Sequence, residues 1–179
     1  MNKKLLPNRT YNVDGFKFTT DNFIKDGVSN PRVNLVEIDN LELGPTPVRR
    51  DGTEQARTKT VKDGNLGSPP DDGGHNVGAQ FNGPVEQINY DPQNQNINRS
   101  PSSTNGDRGG EWYQMEKEWA DILKGTLTEL RGKPVTPPIT NIKINKFFDD
   151  VAHPLRASKY EVTFKINGET FSNTIFNPF

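Results

Sequence analysis

The two histidines are the side chains of this sequence best suited to acid/base or metal chemistry, and no cysteine accompanies them. His75 ends the run Asp71-Asp72-Gly73-Gly74-His75, which brings two carboxylates and an imidazole close together along the chain. A metal site requires ligands in a defined geometry, and no helical or strand periodicity fixes the spacing of these groups. We therefore interpret the run as a solvated polar turn and predict no metal site.

His153 is the second candidate for acid/base chemistry. It lies close to Asp149 and Asp150 in the sequence and directly precedes Pro154. A carboxylate beside an imidazole can orient it for proton transfer. The segment follows two phenylalanines and is typical of a polar turn between β segments, and we prefer that interpretation.

The sequence lacks the short motifs that carry nucleophilic or phosphate-binding chemistry. It contains no Gly-x-Ser-x-Gly, no Gly-x-Gly-x-x-Gly and no Gly-x-x-x-x-Gly-Lys-Ser/Thr. Residues 91–96 follow the oxygen-rich rhythm of a calcium loop, but the required glycine and closing acidic residue are missing. We predict a protein that is not an enzyme, with no catalytic, cofactor-binding or metal-binding residues and no cofactor.

The charge balance argues against a nucleic-acid partner. Lys and Arg number 22 and Asp and Glu number 23, a net charge of −1, whereas a nucleic-acid binder needs a basic surplus to displace counterions. A cluster of basic residues has acidic neighbours, so we prefer a solvated loop to a phosphate contact; it comprises Arg49, Arg50, Arg57, Lys59 and Lys62. No apolar run is long enough to span a bilayer, so a membrane partner is not expected.

Composition divides the chain into three regions. Residues 1–43 form a small β-rich segment, residues 44–110 a Gly-, Pro- and Asn-rich arm or linker, and residues 111–179 a module of normal apolar density. The middle region has too few apolar residues to offset the entropy of ordering itself. We expect it to be an extended arm that depends on a partner for order.

Local patterns predict an α+β fold with large irregular content. Asp14-Gly15 and Asn167-Gly168 are two-residue hairpin turns, each flanked by alternating apolar residues. Apolar residues recur at helical spacing from Glu111 and stop before Gly132. The C-terminal module therefore consists of one helix on a small antiparallel sheet, and the N-terminal segment adds a β-hairpin.

The clearest strand has one apolar and one polar face. Tyr160, Val162, Phe164 and Ile166 alternate with polar residues, and a slip of one residue would bury two lysines and a glutamate. We predict that the apolar face is buried and that Ile166 lies opposite Glu169.

The organisation predicts a non-enzymatic structural or assembly protein that binds neighbouring subunits through its arm in a symmetric, multi-copy assembly. Isolated apolar anchors on such an arm spread binding over a large surface. The chain resembles, in style, minor virion proteins of tailed bacteriophages, which implies capsid decoration, a neck or connector, or a baseplate. The predicted partner-binding residues are Val77, Phe81, Ile88, Tyr90, Trp112 and Tyr113.

Two alternatives remain open. The first is an interaction or adaptor protein with a disordered linker, associated with secretion or adhesion, and the second is a small hydrolase. No apolar region follows the first lysines, so no signal peptide is predicted. The predicted location is the virion after synthesis in the host cytoplasm. A cytoplasmic location or secretion without a classical signal is the alternative.

Overall fold

The computed structural model describes residues 5–45, 71–102 and 108–178. Strands make up 47% of the structure. In chain order they are β1 (Thr10–Val13), β2 (Phe16–Lys25), β3 (Val28–Leu41), β4 (Asp71–His75), β5 (Tyr90–Asn94), β6 (Glu129–Leu130), β7 (Lys133–Pro134), β8 (Ile139–Phe147), β9 (Lys159–Ile166) and β10 (Glu169–Phe176). The α-helices of the described residues are α1 (Gln95–Asn98) and α2 (Glu111–Leu123), and 3₁₀ turns cover Ala79–Phe81 and Gln87–Asn89.

A six-stranded antiparallel sheet in the order β1-β2-β3-β8-β9-β10 forms the centre of the molecule. The N-terminal strands join the C-terminal ones through β3 and β8, with Leu41 opposite Ile139 and Leu35 opposite Asn145. Because the larger sheet combines both ends of the chain, the predicted α+β class with a small C-terminal sheet is wrong. Independent folding of residues 111–179 stays a prediction.

Both predicted hairpin turns are present. Asp14, Gly15, Asn167 and Gly168 all have positive φ, as a two-residue turn matched to strand twist requires. Ile166 lies opposite Glu169, which confirms the predicted register. The apolar face of β9 is buried and Lys165 is exposed, as its alternation predicts.

Helix α2 begins at the predicted Glu111 and ends earlier than its apolar pattern suggests. Gly125 has a φ of +72°, a conformation that an L-residue rarely adopts, and it stops the helix after Leu123. Leu130 continues the apolar stripe in sequence but lies in strand β6. Helix α2 packs on the sheet through Trp119, whose ring is 5.4 Å from that of Phe164.

The middle of the chain does not form an arm in the part that the structure describes. Residues 71–102 contain β4, β5 and α1, and they pack against the chain's own core. Of the predicted partner-binding residues, Tyr113 is half-buried and the others are buried within this chain: Val77, Phe81, Ile88, Tyr90 and Trp112. Their burial is thus explained without another subunit, and a partner-binding role for them stays a prediction.

No helix among the described residues combines the length and apolarity needed to cross a membrane.

Candidate active site

Strands β4 and β5 form a two-stranded antiparallel sheet that sets His75 opposite Tyr90. Their rings are 4.7 Å apart between centroids and tilted by 49°. Gly74 is required in this hairpin because a Cβ at that position would collide with the side chain of Gln93. The imidazole of His75 is therefore fixed on one side by an aromatic ring, and the residue stays half-buried.

The loop that follows His75 is closed by the buried side chain of Asn89. Its Oδ1 accepts a hydrogen bond from the amide of Val77 at 2.9 Å, and its Nδ2 donates to the carbonyls of Val77 and Pro84, both at 2.9 Å. These bonds tie the segment after β4 to the segment before β5. The loop thus has a defined shape beside His75.

Helix α1 follows β5 directly and contributes polar groups beside β4. Asn94 is its N-cap, accepting a hydrogen bond from the amide of Asn96 at 2.8 Å. Asn98 donates through Nδ2 to Asp72 at 3.3 Å, which turns its Oδ1 away from that carboxylate. Arg99 forms a bidentate pair with Asp72 at 2.7 and 2.8 Å, and this hydrogen bonding raises the pKa of Arg99.

Helix α2 closes the remaining side through Glu116. A Cβ on Gly78 would lie 2.5 Å from Oε1 of Glu116, so the carboxylate of Glu116 lies against the loop after His75. Gln80 donates to the carbonyl of Glu116 at 3.4 Å. Helix α1 packs against α2 and against both strands of the hairpin. We call β4, β5, α1 and α2, with the loop between the strands, the site unit.

Buried charges join the site unit to the large sheet. Asp71 pairs with Arg156, and Asp91 lies 2.6 Å from Nζ of Lys146. Burial lowers the pKa of Lys146, although the attraction of Asp91 opposes this shift. Burial also raises the pKa of Tyr160 well above its ordinary value.

The groups of the site unit are suited to binding and cleaving a phosphate ester. An imidazole can accept a proton from water, and an exposed guanidinium binds phosphate oxygens. Among the described residues, no group of three or more His, Cys, Asp and Glu side chains could hold a metal ion. A cation at this site would therefore depend on amide oxygens, water and substrate phosphate as well as on carboxylates.

Comparison with known proteins agrees with this chemistry. Residues 7–168 match the family model of the DNA/RNA non-specific endonucleases, and because the match covers most of the chain, the protein belongs to that family. It is also 30% identical over 146 residues to the type VII secretion system protein EssD of Staphylococcus aureus, from strains USA300 and Newman. The aligned region is 82% of this chain and 20% of EssD, so the chain spans about a fifth of the length of these relatives.

The family corrects several predictions made from the sequence. The match to an endonuclease family and to EssD overturns the prediction of a non-enzymatic virion, capsid, tail or baseplate component and points to a nuclease. The argument from net charge was wrong about nucleic acid because a nuclease can bind its substrate through a few local groups at its site. Nothing in the comparisons supports a symmetric assembly or a location in the virion.

The structure separates the two histidines that the sequence offered. His153 bonds to Asp150 at 3.0 Å in the loop between β8 and β9, and this bond lowers the pKa of Asp150. Asp149 bonds instead to Ser158. The sequence predicts a solvated polar turn at His75, and this prediction is wrong, because His75 is the last residue of strand β4 in the site unit. The basic cluster at residues 49–62 lies outside the described residues.

Proposed function

We propose that the site unit hydrolyses phosphodiester bonds in DNA and RNA and that His75 is its general base. The observation that carries this proposal is that β4, α1 and α2 pack into one unit, which holds a half-buried histidine together with Asp72, Asn98, Arg99 and Glu116, in a member of a family of endonucleases. A general base for this reaction must take a proton from the attacking water. Among side chains, neutral imidazole is the one whose ordinary pKa suits that task near neutral pH.

Tyr90 and the loop held by Asn89 keep the imidazole in place. A base that is already oriented loses little entropy when substrate binds, which is a large part of the advantage an enzyme has over solution. The ring of Tyr90 restricts the movement of His75 from one side. The bonds of Asn89 restrict the backbone that follows.

Arg99 is the proposed contact for a substrate phosphate. Its side chain is 46% exposed although it pairs with Asp72, so solvent and a substrate can reach it. A planar guanidinium matches the oxygens of a phosphate and carries no information about base sequence. Recognition of the backbone rather than of bases is what a non-specific endonuclease needs.

Asn98 is the proposed protein ligand for a hard divalent cation. Its amide oxygen is an oxygen donor of the type that Mg²⁺ accepts, and Mg²⁺ usually keeps several waters and shares the phosphates of its substrate. When bound, such a cation would stabilise charge on the phosphate in the transition state. Asp72 orients Asn98 by accepting its Nδ2 hydrogen bond.

The relation to EssD suggests where such a domain operates. EssD is named for a type VII secretion system, and the region aligned with this chain is one fifth of it. We infer that this chain is a nuclease domain of a protein exported by a type VII system. Secretion without a classical signal peptide was part of the alternative location that the sequence left open.

The test compares the two histidines. His75→Ala should reduce the rate of cleavage of plasmid DNA and of ribosomal RNA between about 100- and 10,000-fold, the usual contribution of a general base. His153→Ala is the matched control, since it removes the other imidazole from a loop outside the site unit, and it should retain the parental rate. Both variants should keep the parental melting temperature. Equal activity of the His75→Ala variant and the parent would contradict the proposed base.

A further inference from the structure

Arg156 lies in the loop between β8 and β9, and Asn177 lies directly after β10. Together they join the site unit to these segments through a buried group of hydrogen bonds. Arg156 bonds to Asp71 through Nε at 2.7 Å and Nη2 at 2.8 Å, at the first residue of β4. The same guanidinium donates through Nη1 to the carbonyl of Asn177 at 2.7 Å. The side chain of Arg156 is fully buried, so water does not compete for these bonds.

Both polar atoms of the Asn177 side-chain amide, Oδ1 and Nδ2, form hydrogen bonds to β5. Its Oδ1 accepts from the backbone amide of Asn94 at 2.7 Å, and its Nδ2 donates to the carbonyl of Pro92 at 3.0 Å. The amide of Asn94 and the carbonyl of Pro92 are groups that a neighbouring β-strand would otherwise bond, so the side chain of Asn177 takes the place of such a strand. The second hydrogen of Nδ2 bonds to the carbonyl of Ala157 at 2.7 Å, which fixes the amide to the segment before β9.

These bonds act where β5 turns into α1. Asn94 donates its backbone amide to Asn177 and also caps α1, and its Nδ2 donates to the carbonyl of Pro178 at 2.9 Å. The position of α1 determines the position of Asn98 and Arg99. Arg156 fixes the start of β4 in the same manner through Asp71, one residue before Asp72.

Asn177 lies beyond residues 7–168, the part of the chain that matches the endonuclease family. The family match therefore does not account for a side chain that bonds to four partners on two segments, β5 and residues 156–157.

We propose that Arg156 and Asn177 form a clamp that positions the β4–β5 hairpin and α1 for catalysis, so that both are positioning residues of the nuclease. This inference rests on the proposed function. The clamp leaves the groups that touch substrate unchanged and sets the distance between His75 on one strand and Asn98 beyond the other. Misplacement of reacting groups by about 1 Å costs on the order of 100-fold in rate.

The experiment measures cleavage kinetics and amide hydrogen exchange on the full chain. Asn177→Ala should lower kcat between about 10- and 100-fold with little change in KM, because Arg99 can still contact phosphate. The amide of Asn94 should exchange at least about 10-fold faster, whereas amides of β9 should keep their protection. Asn177→Asp retains the acceptor for Asn94 and should recover part of both losses.

Asn173→Ala is the matched control. Asn173 is an asparagine of β10 whose side chain bonds to Arg131 on the exposed side of the molecule. It should leave kcat and the exchange of Asn94 at the parental values. A purely structural role for Asn177 would lower the melting temperature and leave kcat unchanged below it.

The outcomes separate the clamp from the proposed function. Faster exchange of Asn94 together with a lower kcat supports the clamp, and parental values of both overturn it. Faster exchange with a parental kcat overturns the positioning role while nuclease activity stands. Full cleavage by the His75→Ala variant overturns the proposed base alone, and the clamp is still decided by kcat and the exchange of Asn94 in the Asn177→Ala variant.

Discussion

The large sheet and the site unit differ in how many polar side chains they bury. The sheet interior is mostly apolar, with Phe18, Val36, Ile144, Val162 and Phe164 fully buried. The site unit buries apolar side chains as well, but it adds a group of buried polar ones, among them Asp71, Asn89, Gln93 and Asn94. Apolar burial is non-directional and stabilises roughly in proportion to area. Buried hydrogen bonds demand defined partners, so the sheet supplies stability while the site unit supplies geometry.

The largest expected effect on stability is in the sheet. Phe164→Ala should lower the free energy of unfolding by about 3–5 kcal/mol, because it removes a buried ring that stacks on Phe171 and contacts Trp119. Urea unfolding measures this loss. Well below the melting temperature of the variant, kcat should stay near the parental value, since the ring lies outside the site unit's polar contacts.

Lys165→Ala is the control on the same strand. Lys165 is exposed, and its replacement should change the free energy of unfolding by less than about 0.5 kcal/mol. If Phe164→Ala abolished cleavage while it left the urea midpoint unchanged, the division between a stabilising sheet and a catalytic unit would be wrong.

A smaller effect on stability with a larger one on activity is expected at Asn89. Asn89→Ala leaves the amide of Val77 and two carbonyls without this partner, at a cost of about 1–3 kcal/mol for each of these groups that water does not reach. The rate of cleavage should fall further than in Phe164→Ala because the loop beside His75 loses its closure. Gln87→Ala, an exposed change in the same loop, is the comparison. Equal kcat in both variants would show that the loop does not position His75.

The smallest effect is a pH dependence at the boundary between the two regions. Burial raises the pKa of Tyr160, so above pH 10 the unfolded chain loses this proton while the folded chain keeps it. The folded state then binds more protons, and stability falls as pH rises. Well above pH 10, the free energy of unfolding should therefore fall with pH more steeply in the parent than in Tyr160→Phe, by about 1.4 kcal/mol per pH unit. If the free energies of unfolding of the parent and of Tyr160→Phe changed in parallel from pH 9 to pH 11, the prediction would be wrong.

The strands of the sheet were the part of the fold most open to prediction. Alternation along β9 and the Asn167-Gly168 turn predict the buried face and register correctly, because both depend on neighbouring residues. The pairing of β3 with β8 could not be predicted in this way. It joins residues about 100 positions apart, and no local pattern encodes which edges meet.

The candidate site could not be predicted from the sequence, and the physical reason is different. Gly73, Gly74 and the neighbouring aspartates have the composition of a linker, since their strand is ordered by hydrogen bonds and close packing rather than by apolar alternation. The partners that order it, Arg156 and Asn177, lie more than 80 residues away. The useful signal was a pair of glycines directly before one of only two histidines.

The order in which the chain is synthesised determines when the site can be completed, because Asp71 bonds to Arg156 and Asn94 bonds to Asn177. The segment that carries His75 leaves the ribosome long before residues 156–178, yet both of its anchors belong to that later part. Closing such a long loop is slow compared with local folding. On the proposed function, a growing chain would therefore lack the anchors of its site until residues 156–178 have been made and have folded, and cleavage would begin only then.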